Sequence, residues 1–155
     1  MAFYQLHKEQ LIPASIDKVW DFISSPNNLK QITPKYMGFR ITSNNLNEKV
    51  YPGMIITYKV KPLLGIPMAW LTEITHVDDK KYFVDEQKIG PYAFWQHQHF
   101  IKQVDGGVLM TDIVTYKPPL GILGSLANWL FIRKQLNGIF NYREKVLNTL
   151  FPNNK

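Results

Sequence analysis

Residues 92–117 read YAFWQHQHFIKQVDGGVLMTDIVTYK. Two runs rich in Tyr, Phe, Trp, Val, Ile and Thr, the residues strands favour, flank Asp105–Gly106–Gly107. Asp-Gly between such runs is a strong signal for a two-residue hairpin turn. The segment therefore reads as strands Tyr92–Val104 and Val108–Lys117. If Asp105–Gly106 is the turn, Val104 pairs with Gly107, and counting back sets His99 opposite Asp112. Side chains alternate along a strand, so His97 and His99 share one face with Trp95 and Ile101.

Upstream, the same chemistry predicts strands Gly38–Ser43, Met54–Lys61, Met68–Val77 and Tyr82–Lys88. The connections are of two alternating kinds. Asn44–Asn45–Leu46–Asn47–Glu48, Asp78–Asp79–Lys80 and Asp105–Gly106–Gly107 carry ordinary solvated turn chemistry. Pro62–Leu63–Leu64–Gly65–Ile66–Pro67, Ile89–Gly90–Pro91 and Pro118–Pro119–Leu120–Gly121–Ile122 are apolar and stiffened by proline, and each follows a lysine, Lys61, Lys88 or Lys117. Successive turns of an antiparallel meander fall at opposite ends. All three apolar turns should therefore gather at one end and form an apolar rim beside positive charge, as a mouth, a membrane contact or a partner surface would require.

Before these strands, Phe3–Ile12 reads as an opening strand ended by Pro13. Ser15 is a suitable N-cap for a helix Ile16–Ser24, whose Ile16, Val19, Trp20 and Ile23 form one apolar face. A second short helical piece, Asn28–Ile32, is closed by Pro34. After the strands, one long helix is expected over Leu123–Leu150. At about 100° per residue, Leu126, Trp129, Ile132, Leu136, Ile139, Phe140, Val146, Leu147 and Leu150 cluster on one face, with Lys134, Gln135, Asn141, Lys145 and Asn148 opposite. Arg143 sits on the apolar face. Leu123, Leu130 and Phe131 sit on the face that should be wet.

The chain has 155 residues, enough for one domain with a real core. Without cysteine it has no disulfide frame, thiol nucleophile or thiolate metal site, which fits a cytoplasmic setting. The first ten residues lack the apolar core of a signal peptide, and no run reaches the ~20 apolar residues of a membrane span. The net charge of +6 is scattered rather than striped. With no basic helix and no aromatic RNA motif, nucleic-acid binding is not indicated.

The order β-α-α-β-β-β-β-β-β-α resembles that of the helix-grip superfamily, an α+β fold in which a seven-stranded antiparallel sheet wraps round a long C-terminal helix. That superfamily is also called SRPBCC. It includes START lipid-transfer domains, birch-pollen-allergen proteins and polyketide cyclase/dehydrase-like proteins. The local likeness lies in Ile12–Pro13–Ala14–Ser15 running into Val19–Trp20–Asp21–Phe22, and in Asn28–Leu29 with Ile32–Thr33–Pro34. It continues in Gly65–Ile66–Pro67, Gly90–Pro91–Tyr92, Trp95–Gln96–His97–Gln98–His99–Phe100, and Met110–Thr111–Asp112 with Tyr116. These look like a bacterial branch loosely labelled "cell division inhibitor". The resemblance spans residues 1–155 as a single domain. It implies a deep cavity between sheet and helix, opening at the apolar-turn end.

His97, His99 and Asp112 are the residues able to carry chemistry. They could orient a general base, hydrogen-bond a ligand, merely satisfy one another, or decorate the outer face of the sheet, since the sequence does not say which face they occupy. A metal would want a third firm ligand, and none is evident at fixed spacing. Arg143 must be paired if buried, with Asp112, Asp85, Glu86 or Glu73, or else must anchor a ligand anion. Trp70, Trp95, Trp129 and Phe140 are the bulky groups able to line the pocket. No serine-nucleophile, phosphate-loop or zinc motif occurs, and no cofactor is indicated. The leading expectation is binding of a small hydrophobic or amphipathic molecule, lipid-like or aromatic. The alternatives are a cyclase or dehydratase using the His/Asp group, and a membrane- or self-association module working through Leu123, Leu130 and Phe131.

Overall fold

The computed structural model describes residues 2–44, 48–63 and 65–153. Strand β1 (Tyr4–Ile12) leads through helix α1 (Ile16–Ile23) and two single-turn 3₁₀ segments, Pro26–Lys30 and Lys35–Met37, into β2 (Arg40–Ile41). Five long strands follow: β3 (Ile55–Leu63), β4 (Ile66–Asp78), β5 (Tyr82–Ile89), β6 (Phe94–Val104) and β7 (Gly107–Lys117). The chain closes with helix α2 over residues 121–150. It is α-helical over Gly121–Ala127, widens to a π turn at Asn128–Ile132, and is α-helical again over Arg133–Leu150.

The seven strands form one antiparallel sheet in the order β1-β7-β6-β5-β4-β3-β2. The Asp105–Gly106 hairpin pairs Val104 with Gly107 and sets His99 opposite Asp112, the register its sequence predicts. Gly107 is required there: at φ +146° a Cβ would overlap the Ile12 carbonyl where β1 closes on the turn. The meander places the three apolar turns at one end. Of the first polar turn, Asn45, Leu46 and Asn47 lie outside the described residues, as does Leu64 of the first apolar turn.

Three expectations need correction. The strand expected over Gly38–Ser43 shrinks to Arg40–Ile41, because Lys35–Met37 coils and Gly38 turns left-handed at φ +54°. Ser15 takes the N-cap position without a side-chain hydrogen bond. The third concerns α2. Leu126 and Trp129, assigned by the straight wheel to the buried face, are exposed, Trp129 by 77%. The cause is the π turn, whose extra residue rotates everything before it by about one position. Asn128 takes the inward slot instead and accepts a hydrogen bond from the Tyr116 hydroxyl at 2.8 Å. From Ile132 onward Ile132, Leu136, Phe140 and Leu147 are buried as expected, whereas Leu150, expected on the same face, is exposed.

The core lies between the concave sheet face and α2, in two parts. One gathers Ile12, Val19, Trp20, Ile101, Met110 and Leu147 at the α1 end. The other gathers Trp70, Trp95, Val114, Tyr116, Leu136 and Phe140 towards the apolar-turn end. Along the inward face of β6 the order is Trp95, His97, His99, Ile101, and along β7 it is Val114, Asp112, Met110. A polar belt therefore separates the two apolar clusters.

Candidate functional site

The belt is built by neighbouring strands. Asp85 of β5 pairs in register with His97 of β6, and His99 of β6 pairs with Asp112 of β7. His97, His99 and Asp112 are all buried. His97 Nε2 lies 2.7 Å from Asp112 Oδ1, and His99 Nε2 lies 2.9 Å from Asp85 Oδ2. With the carboxylates ionised, the ring nitrogens donate. Two further approaches cross the square. His97 Nδ1 is 3.6 Å from Asp85 Oδ2, and His99 Nδ1 is 3.0 Å from Asp112 Oδ1 but off the hydrogen-bond direction. The imidazoles lie tilted at 37° with centroids 3.6 Å apart, and Phe83 stacks on His99.

These contacts pull the two histidines apart electrically. Burial, with His99 alongside, pushes the His97 pKa down to about 4 against the pull of Asp112 and Asp85. At neutral pH His97 is uncharged. Burial also opposes charge on His99, but Asp112 and Asp85 together outweigh it and hold its pKa above the ordinary value. Burial would raise the Asp112 carboxyl; hydrogen bonds from His97 and His99 outweigh that and hold it well below the usual carboxylate range. The belt is a charge-compensated group containing one neutral imidazole, with carboxylates on both sides.

Arg143 of α2 reaches the same place. Its side chain is 11% exposed, its Nη1 is 3.9 Å from Asp112 Oδ1, and its guanidinium lies over the Phe140 ring at 4.8 Å. Of its four candidate partners, Glu73 and Glu86 instead pair with Lys88. Asp112 is its carboxylate, at ion-pair range and without a hydrogen bond; Nε and Nη1 have no hydrogen-bond partner.

Above the belt a cavity of about 140 Å³ lies between β3–β7, residues 22–39 and the Gln135–Arg143 stretch of α2. Its wall includes Trp70, Trp95, His97, His99, Phe140 and Arg143, all expected from sequence. Asp112 faces a smaller adjoining recess shared with Arg143 and Phe140. Trp129 lines neither. Sequence reading named Asp85 only as a partner for Arg143 and missed Tyr58, Thr72 and Tyr92. Asp85 enters through the pairing of β5 with β6 across Gly90, which sets it opposite His97. Tyr58 and Thr72 join at 3.0 Å, with the Trp70 indole N–H donating to Thr72 Oγ1 at 3.1 Å. Gln135, expected on the wet face, lines the cavity and donates to the Pro62 carbonyl.

The apolar rim is only partly a rim. Pro62 and Tyr92, beside the first two apolar turns, line the cavity, whereas residues 118–131 do not. The start of α2 folds back on Pro118–Pro119 through Gly124, where a Cβ would overlap the Pro119 carbonyl. Leu120, Ile122, Leu123, Leu126, Trp129, Leu130 and Phe131 are left exposed.

No family model and no curated protein sequence matches the chain. Solved structures do. Protein CV1439 from Chromobacterium violaceum superposes with a TM-score of 0.70 at 11% identity, covering 95% of this chain and 96% of that one. Ginseng major latex-like protein 151 from Panax ginseng gives 0.65 at 9%, covering 97% and 98%. Ara h 8.0201, of the birch-pollen-allergen type, gives 0.60 at 16%, covering 96% and 99%. At these identities the likeness is one of fold, and that fold is the helix-grip.

Proposed function

We propose that this helix-grip chain binds a small amphipathic molecule, an apolar body with an acidic head, between its sheet and α2. The observation that carries the reading is a cavity walled by aromatic and aliphatic side chains and by Arg143, two of whose buried nitrogens have no hydrogen-bond partner. Pockets of this kind bind through apolar burial, and a few polar groups fix orientation. The volume suits a ring-sized group: an engineered apolar cavity of ~150 Å³ admits benzene. A guanidinium is a strong partner for a carboxylate. Trp70 and Trp95 sit in the wall and would report occupancy by fluorescence.

Native mass spectrometry of protein freshly purified from its host should show a bound species that leaves on denaturation. Titration with aromatic and short-chain fatty carboxylates should quench the wall tryptophans. A bare protein that responds to none of these carboxylates would overturn the reading.

A second reading, proton transfer in the manner of a cyclase or dehydratase, is favoured by one specific arrangement. Neutral His97, held by Asp112 at 2.7 Å through Nε2, keeps Nδ1 available in the cavity as a general base. Exchange of an acidic C–H proton of a bound ligand into deuterated water, lost in His97→Gln, would support it. Binding without exchange would leave the protein a carrier.

A further inference from the structure

The four groups of the belt point their nitrogens and oxygens in two directions. His97 Nδ1 and His99 Nε2 converge on Asp85 Oδ2, at 3.6 and 2.9 Å. The opposite nitrogens, His97 Nε2 and His99 Nδ1, converge on Asp112 Oδ1 at 2.7 and 3.0 Å. The first trio, Asp85, His97 and His99, brings its ligand atoms within 4.8 Å of one another. Around an ion bound at ~2.0–2.2 Å, neighbouring donor atoms stand ~3.0–3.5 Å apart, so small side-chain adjustments suffice to close the trio on a metal. The missing third ligand is thus supplied by β5.

We propose that Asp85, His97 and His99 form a site for a divalent first-row transition ion of the zinc class. The ion would be held by Asp85 Oδ2, His97 Nδ1 and His99 Nε2, with Asp112 as the outer carboxylate. Donor chemistry selects the class. Two imidazoles and one carboxylate suit zinc, iron or nickel, whereas calcium and magnesium want oxygen shells. The second direction of convergence is what a metal site needs beyond its ligands. A ligating histidine hands its other N–H to a carboxylate, which fixes the tautomer and ring orientation. Here one oxygen of Asp112 faces both outer nitrogens. Three protein ligands leave coordination open, and His97, His99 and Asp85 all line the cavity wall, so the open position faces the ligand space. An acidic head bound there would meet the ion as well as Arg143. The proposal deepens the cavity reading, but its test needs no organic ligand.

Protein stripped with chelator and desalted is titrated with Zn²⁺ by calorimetry, and with Co²⁺ by visible absorption. The expected result is uptake of one ion per chain, a heat that varies with the buffer because protons are released, and a raised melting temperature. Asp85→Asn and His97→Gln, checked for folding by circular dichroism, should weaken Zn²⁺ at least ~10-fold, and Asp112→Asn about 10–100-fold. A His7→Gln/His76→Gln control, which removes two exposed histidines, should bind as the wild type does. If the belt variants do not fold, wild-type imidazole NMR signals decide: one equivalent of Zn²⁺ should shift those of His97 and His99 and leave His7 and His76 in place. No one-to-one uptake, uptake indifferent to Asp85→Asn, or shifts confined to His7 and His76 would overturn the proposal. Zinc uptake without any carboxylate binding would sink the cavity reading and keep this one. Carboxylate binding without zinc uptake would do the reverse.

Discussion

Arg143 and His97 are the residues on which the belt's behaviour turns. Arg143 is nearly buried and stacked on Phe140, yet its nearest carboxylate is 3.9 Å away. Breaking a hydrogen-bonded buried pair costs ~3–5 kcal/mol, but here stacking and a longer-range charge pair are what is lost. Arg143→Ala should therefore destabilise by about 2 kcal/mol in urea unfolding. It should also weaken a carboxylate ligand more than the corresponding amide; equal loss for both would argue against an anion anchor. His97 governs the response to acid in the metal-free protein. Its folded pKa of about 4 lies below the ordinary 6.5, so between those values the unfolded chain takes up a proton that the folded chain refuses. Its contribution is present above pH 6.5 and is lost as pH falls towards 4. Asp112, held below the ordinary carboxylate range, extends the loss at still lower pH. His99, raised, works the other way: its contribution is full below 6.5 and fades as pH climbs through its folded value. Stability should peak near pH 6.5 and fall by on the order of 3 kcal/mol towards pH 4. Urea melts across that range that show no acid limb, or a limb unchanged in His97→Gln, would contradict this.

Among the elements, α2 carries the most unusual feature. A regular helix would put Trp129 inward; the π turn puts Asn128 there, tied to Tyr116. The turn behaves as a one-residue insertion, so removing one exposed residue from it should restore a regular α-helix with Asn128 and Ile132 still inward. Deletion of Leu130 is expected to fold with stability within ~1 kcal/mol of wild type. Deletion of Lys134 instead rotates Leu136, Phe140 and Leu147 off the core and should cost more than ~3 kcal/mol, since several large side chains lose their burial together. Thermal melts of the two deletions side by side give the comparison, and equal damage would mean the π turn is not a separable insertion. Among the β elements, β7 alternates strictly and the β6–β7 register follows from Asp105–Gly106, whereas register shifts interrupt the β3–β4 and β4–β5 pairings.

For the whole molecule, the polar belt divides the core, and the apolar surface of α2's first half lies outside it. Leu123, Leu130 and Phe131 are exposed as their positions on the wheel predict, and the π turn adds Leu126 and Trp129 to the same region. A group of large exposed apolar side chains at the start of one helix is suited to contact with a partner. Of the three lysines beside the apolar turns, Lys88 pairs with Glu73 and Glu86, and Lys117 lies over the Phe3 ring. That leaves less free charge for anionic lipid and favours a second copy of the chain. Sedimentation should show a dimer that persists in high salt and dissociates in Leu130→Glu/Phe131→Glu. A monomer that floats with anionic vesicles at low salt only would assign the patch to lipid instead. No described helix is long and apolar enough to cross a membrane.

Local chemistry was enough to determine the elements and their order: proline and Asp-Gly stops, β-branched and aromatic runs, and a long helical period. It also determined that His97, His99 and Asp112 share one face in one register, because a strand's period of two and a tight turn leave no freedom; that this face points inward was decided by the packing of α2 against the sheet. Arg143 was legible because the helical phase holds from Ile132 to Leu147. The tertiary structure alone decided the rest. Asp85 joins the belt through pairing of β5 with β6, a contact that no local pattern encodes. Trp129 leaves the interior because a π turn, anchored by the Tyr116–Asn128 hydrogen bond across the fold, overrides the 3.6-residue period. Gln135 turns inward because the Pro62 carbonyl, far away in sequence, lies there to accept its N–H. Each is a long-range contact whose energy depends on where another strand or turn sits.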